Sequence, residues 1–391
     1  MLNWKLKGRS VRPIGLDIGS DSIKIIQLEI GNSHMKVTAA DKIAIDPAVN
    51  GDGQKRKDFV VAAIRQSLKT GNFNRRKVVS CLPNESLKIT SVRLAESDYQ
   101  TVDDVLKKEV SERFGLNPQR DSVNYVVAGT VKQDDETKNE LILFAADNEA
   151  IKAHIEMLEE CELMPVAIDT VPCALFRSFQ RSLRRQEDKE QTIVFTDVGS
   201  KFTTVVFTRD GDISFVKRIP IAGDGFDREV ANKLGVSIDQ AKMLRSKMRM
   251  QQTISPPAKE SEIDTGLTNS DNQDDSSEPA REVALDGTTR QAIVQATGAA
   301  AEQLAREISL CLRYYTVTFR GRRIKRAILS GGEAYERIML NVLRRQMSLE
   351  IEMAQPLKGF DMTNMHFDSD RRGLLCEWSV AAGLALKGVE N

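Results

Sequence analysis

Apolar positions along the chain open with a β rhythm. A short apolar run from Ile14 to Ile18 reaches Asp17 and Gly19, and Ile23, Ile25, Ile26 and Leu28 follow at strand-like spacing. This predicts a strand, a tight glycine turn and a second strand. The pattern returns from Ile193 to Val198, through Gly199, to Phe202 and Phe207, and a further strand is predicted after Gly31 and after Gly211. Asp17, Gly19 and Ser20 thus recur as Asp197, Gly199 and Ser200, at an offset of 180 residues.

Between the two copies, "LKITSVRL", "VNYVVAGTV" and "ELILFAA" read as strands. "TVDDVLKKEVSERFG" and "NEAIKAHIEMLEECEL" carry apolar residues three and four apart and read as helices. Residues 84–165 are therefore expected to form a small α/β insert. Beyond the second copy, helices are expected over "SIDQAKMLRSKMRM" and "TTRQAIVQATGAAAEQLAREISLCLRYY". Residues 251–290 between them hold nine acidic against three basic residues and almost nothing to bury. They are expected to be a disordered, solvated insertion interrupting the second half.

At 391 residues the chain exceeds one ordinary core, so a bilobal body is expected. Lysine plus arginine balances aspartate plus glutamate at 56 each, which leaves only local features to argue for polyanions. The best of these, "RGRRIKR" after Tyr314, Tyr315 and Phe319, reads as a solvated charged loop, and no nucleic-acid partner is expected. Five scattered cysteines without a Cys-x-x-Cys pair suggest reduced thiols and no structural zinc. No stretch approaches the roughly 20 apolar residues of a membrane span, and no signal peptide is visible. The basic, Trp4-bearing start "MLNWKLKGRSVR" is too short on its apolar side for firm anchoring. A soluble cytoplasmic protein is expected.

A Gly-Ser turn between strands lets backbone N–H groups approach a phosphate, and an aspartate ending a strand can hold the hydration shell of Mg²⁺. One such turn is no more than a common hairpin. A matched pair, Asp17, Gly19 and Ser20 facing Asp197, Gly199 and Ser200, would grip a triphosphate between two lobes.

The pair resembles the twin phosphate hairpins of the actin-like ATPase superfamily. Its other signatures follow in order. "AIDTVPCALFRSF" resembles the first connecting helix, with Asp169 where relatives place the group that orients attacking water. A helix-capping aspartate is the alternative reading there. "AILSGGEAYERIM" resembles the adenosine motif, with Gly331 and Gly332 giving bare backbone to the nucleoside. "WSVAAGLALKG" resembles the second connecting helix, its Ala381, Ala382, Gly383 and Ala385 suited to a close crossing.

The order of elements, with "GLDIGSDSIKIIQLE" and "LRYYTVTFRGRRIKRAILSGG", resembles the PilM family of type IV pilus assembly, related to FtsA and to the cytoplasmic part of GspL. The resemblance implies an α/β, bilobal actin-like ATPase fold of duplicated ribonuclease-H-like lobes. The first lobe is expected over 11–83, 166–190 and 371–391, an FtsA-like insert over 84–165, and the second lobe over 191–370. It implies ATP and Mg²⁺ in the interlobe cleft, with Asp17 and Asp197 toward the metal. Lys24 stands where the family carries lysine, and Lys201 brings a charge to a glycine-poor second turn. Lys242 and Arg245 stand in "DQAKMLRSK", where relatives read Ala-Glu-x-x-Lys and the glutamate bonds ribose. ATP hydrolysis is expected to be slow or absent.

The resemblance further implies that the cytoplasmic N-terminal tail of a PilN-like inner-membrane protein binds beside the insert. Membrane association would then be indirect, at the cytoplasmic face, with self-association open. An FtsA-like filament protein is the alternative, disfavoured because "GLALKGVEN" shows no amphipathic membrane helix; a GspL-like secretion component remains a neighbouring reading, and a metabolic kinase lacks its signature.

Overall fold

The computed structural model describes residues 10–31, 35–95, 102–133, 136–180, 191–254, 285–319, 324, 326–365 and 375–387. The first lobe opens with β1 (Ser10–Val11), β2 (Ile14–Ile18), β3 (Ser22–Ile30) and β4 (Met35–Ala44). Helix α1 (Gly53–Thr70) and β5 (Lys77–Cys81) follow. Alternation along β2 and β3 clothes both faces of the sheet. Ile14, Leu16, Ile23 and Ile25 meet Val60, Ile64 and Leu68 of α1, while Ile26 and Leu28 meet small residues near the C-terminus. Asp52 starts α1 by accepting from the N–H groups of Gln54 and Lys55.

The insert then rises as β6 (Leu87–Ala95), α2 (Val102–Phe114), β7 (Ser122–Gln133) and β8 (Glu136–Ala146), an antiparallel sheet ordered β6-β8-β7. Val102, Leu106 and Val110 of α2 cover one face, against Leu141, Leu143 and Ala145. Ile142, Phe144 and Ala128 on the other face join the core of the second lobe. Arg218 fastens this junction by donating to the carbonyls of Asn84 and Leu87. Helix α3 (Asn148–Glu160), expected within the insert, instead packs on α1 and β9 (Met164–Asp169), because Leu158, Cys161 and Leu163 complete the first lobe's core. Helix α4 (Val171–Gln180) leads onward.

The second lobe repeats the plan with β10 (Ile193–Val198), β11 (Thr203–Arg209), β12 (Asp212–Ile219), α5 (Gly223–Leu234), α6 (Ile238–Ile254), α7 (Gly287–Thr318), β13 (Arg326–Ser330), α8 (Arg337–Met347) and β14 (Glu350–Met353). Its sheet runs β12-β11-β10-β13-β14, as the first runs β4-β3-β2-β5-β9. In both, the first three strands pair antiparallel and the two strands on the other side of the hairpin parallel. The sequence repeat is thus a repeated lobe. The expected insertion falls at 255–284, outside the described residues, and the ends of the stretch expected to be disordered belong to α6 and α7.

Helix α9 (Ser379–Ala385) crosses α4 where the lobes meet. A Cβ on Gly383 would stand 1.8 Å from the Ala174 carbonyl oxygen, so only glycine permits this crossing. Phe179, at the far end of α4, stacks on Phe195 of the second lobe at 5.1 Å.

Candidate functional site

The two hairpins face one cleft of about 950 Å³ between the lobes. Each turn closes the same way: Gly19 N donates to Ser22 O at 3.0 Å, and Gly199 N to Phe202 O at 3.1 Å. The turn carbonyls are engaged from behind. Arg56 of α1 donates to Gly19 O at 2.7 Å and Ser20 O at 3.2 Å. In the second hairpin the N-terminus of α5 does this, Gly223 N reaching Gly199 O at 3.1 Å and Asp224 N reaching Ser200 O at 2.7 Å. The N–H groups of Ser20, Asp21, Ser200 and Lys201 have no hydrogen-bond partner among the described residues, which suits them to an anion.

Asp17 and Asp197 occupy matching positions, in register with Lys24 and Thr204 respectively. Only the first aspartate therefore faces a cation across its hairpin, Lys24 Nζ lying 3.3 Å from Asp17 Oδ2. Burial, then the charge of Asp17, pushes Asp197 up to about 6, against the opposing effects of a 2.9 Å hydrogen bond from Ser330 and of Lys24. Two strand-end carboxylates at a donor-rich turn fit Mg²⁺, which keeps most of its waters and takes few protein ligands. Among the described residues no group of three or more metal-ligating side chains gathers.

Gly331 and Gly332 line the cleft beside the second hairpin. Gly331 has φ 95°, and a Cβ there would stand 2.3 Å from Val198 O. Lys201 and Lys242 also line the cleft, paired with Glu85 of the insert boundary at 3.6 Å and with Asp21 of the first hairpin at 2.7 Å.

Two expected residues lie elsewhere. Arg245 is buried behind the glycine turn, holding Asp227 at 2.5 Å, Glu333 at 2.6 Å and Glu336 at 3.2 Å, with its guanidinium 5.1 Å from the Phe226 ring centre. Asp169 does not line the cleft; its carboxylate meets Arg177 at 2.9 Å and Lys387 at 3.3 Å. The helix cap beyond it is Thr170, whose Oγ1 accepts from Cys173 N at 3.4 Å. Sequence reading did not single out Arg56, Glu333 or Glu377, all of which line the cleft. Glu333 lies inside a quoted motif, yet nothing in its spacing marks its contacts.

With this geometry in view, the family model described as type IV pilus assembly protein PilM matches residues 15–255, from the first hairpin through the second and α6. The chain belongs to the PilM family. Over 97% of its length it is similar to a chain of a PilM–PilN type IV pilus biogenesis complex, at 18% identity, with a TM-score of 0.73 and 99% of that chain covered. It is also similar to the ethanolamine utilization protein EutJ from Carboxydothermus hydrogenoformans, at 11% identity and a TM-score of 0.52, covering 98% of this chain and 92% of that one. These likenesses show the fold, which is the bilobal actin-like ATPase fold. Among the described residues of this PilM-family chain, no helix is long and apolar enough to cross a membrane.

Proposed function

We propose that this PilM-family protein is a nucleotide-binding scaffold for type IV pilus or related secretion machinery. Mg-ATP lies in the interlobe cleft, and the cytoplasmic tail of a PilN-like inner-membrane protein binds beside the insert, bringing the scaffold to the cytoplasmic face of the membrane. The observation that carries this reading is the pair of turns whose carbonyls are engaged from behind, by Arg56 and by α5, while their N–H groups stand unpartnered at one cleft.

In this reading the turn N–H groups, Ser20, Ser200, Lys24 and Lys201 hold phosphates, and Gly331 and Gly332 receive the adenosine. Mg²⁺ would be held through Asp17 and Asp197 and would neutralise phosphate charge there. In this reading Asp169 does not serve the nucleotide, because Arg177 and Lys387 hold its carboxylate. That supports binding with slow or no hydrolysis. Nucleotide occupancy, by drawing the hairpins together, changes the angle between lobes and with it the partner surface.

Thermal unfolding with and without Mg-ATP tests the cleft, because a ligand of the folded state raises the midpoint with concentration. The rise is expected to vanish in Asp17→Ala. No shift at millimolar Mg-ATP would make the twin hairpins architecture alone. A synthetic PilN-like tail, titrated in parallel, tests the partner separately.

A further inference from the structure

The second lobe brings to the cleft a carboxylate that the phosphate hairpins do not use. Glu333 follows Gly331 and Gly332 directly and lines the cleft, its side chain 13% exposed. Both guanidiniums that reach it take the same oxygen: Arg245 Nη2 lies 2.6 Å and Arg249 Nη1 3.1 Å from Oε2. Oε1 has no hydrogen-bond partner among the described residues, and it passes 3.0 Å from the place a Cβ on Gly223 would occupy. A carboxylate gripped by one oxygen presents the lone pairs of the other.

Helix α6 supplies the grip. Lys242, Arg245, Ser246 and Arg249 are three or four residues apart and share one helical face. Lys242 and Ser246 line the cleft, while Arg245 and Arg249 reach Glu333. Burial alone would favour the neutral acid, but the two guanidiniums outweigh it and hold Glu333 at about 2. At neutral pH it is therefore an acceptor only. At this wall α6 itself offers cations and a serine, and the glycine turn supplies the acid.

We infer that Glu333 Oε1 accepts hydrogen bonds from the ribose hydroxyls of the bound nucleotide. The inference rests on the nucleotide reading of the cleft. A carboxylate suits a vicinal diol, because each hydroxyl donates one hydrogen and the anion strengthens both bonds. A sugar lacking one hydroxyl would leave one lone pair of that oxygen without its donor, so the site should bind it more weakly.

The test is calorimetric titration of the full chain with Mg-ATP, Mg-2′-deoxyATP and Mg-3′-deoxyATP, beside the variant Glu333→Gln. Wild type is expected to bind at least one deoxy analogue about tenfold or more weakly than ATP. Glu333→Gln should bind ATP more weakly and treat the three nucleotides alike. Because the substitution removes charge from the Arg245 cluster, the variant's unfolding midpoint without nucleotide is recorded too; the wild-type comparison stands whatever that shows. Equal binding of all three by wild type, or discrimination retained in Glu333→Gln, overturns the assignment and leaves the cleft reading intact. Failure of wild type to bind ATP overturns both.

Discussion

Lys242 Nζ of the second lobe lies 2.7 Å from Asp21 Oδ2 of the first hairpin, so one ion pair joins the two lobes across the cleft. Both side chains are a little over one-third exposed, and a pair so placed contributes about 0.2–1 kcal/mol to stability. Its larger effect is expected on opening, where it is one of the contacts that must break. Lys242→Ala should leave the unfolding midpoint within about 3 °C of wild type. Release of a fluorescent ATP analogue, followed by stopped flow, should be faster. The swapped pair Asp21→Lys with Lys242→Asp should restore slow release. An unchanged release rate in Lys242→Ala would retire the latch.

If Asp197 helps to hold Mg²⁺ as proposed, Mg-ATP binding should depend on pH. Its carboxylate is raised from 3.8 to about 6, so the folded chain holds that proton more tightly than the unfolded one. The ionised group therefore costs stability above pH 6, and the cost fades as pH falls through 6 toward the unfolded value. Asp197→Asn should stabilise the nucleotide-free protein by on the order of 1 kcal/mol near neutral pH and by nothing near pH 4. In wild type a proton should compete with Mg²⁺ there below pH 6, so the Mg-ATP rise in midpoint should shrink between about pH 7.5 and 5.5. A rise of the same size at both pH values would remove Asp197 from the cation site.

The lobes were legible because their determinants are local. Asp17, Gly19 and Ser20 sit in a period-2 strand pattern that needs no distant partner to interpret, and the 180-residue offset to Asp197, Gly199 and Ser200 exposes the duplication. The crossing at Gly383 could be expected for a similar reason, since a run of small residues has few other uses in a helix. The roles of Arg245 and Glu333 are tertiary. An arginine on a helix as polar as α6 reads as solvent-facing, and only the packing of α5, α6 and the Gly331 turn buries it among three carboxylates. Helix α3 shows the same limit: its apolar stripe predicts a helix, while the choice between insert and first lobe depends on where β9 returns.

Asp169 separates hinge from chemistry. It is 7% exposed, with Arg177 and Lys387 on its carboxylate, at the strand end that leads into the α4–α9 crossing. Arg177 also donates to Gly383 O at 2.9 Å, tying the pair to that crossing. Asp169→Asn should lower stability by about 1–3 kcal/mol in urea unfolding, because two cations lose their counter-charge. Mg-ATP affinity of the folded variant should stay within about twofold of wild type. A tenfold loss of affinity at unchanged stability would return this carboxylate to the nucleotide.

Gly331 and Gly332 stand side by side yet should respond differently to one added methyl. At Gly331 the backbone is left-handed, and a Cβ would meet Val198 O at 2.3 Å, so Gly331→Ala strains the fold itself. A loss of about 1–3 kcal/mol is expected, seen as a lower unfolding midpoint without nucleotide. At Gly332 nothing lies within 4 Å of the added carbon, and the residue is exposed on the cleft wall. Gly332→Ala should fold with an unchanged midpoint and bind Mg-ATP more weakly, since the methyl takes space the nucleoside needs. Wild-type affinity in Gly332→Ala would mean that the adenosine does not lie against this turn, and Gly331 would then be needed only to let the turn pass the second hairpin.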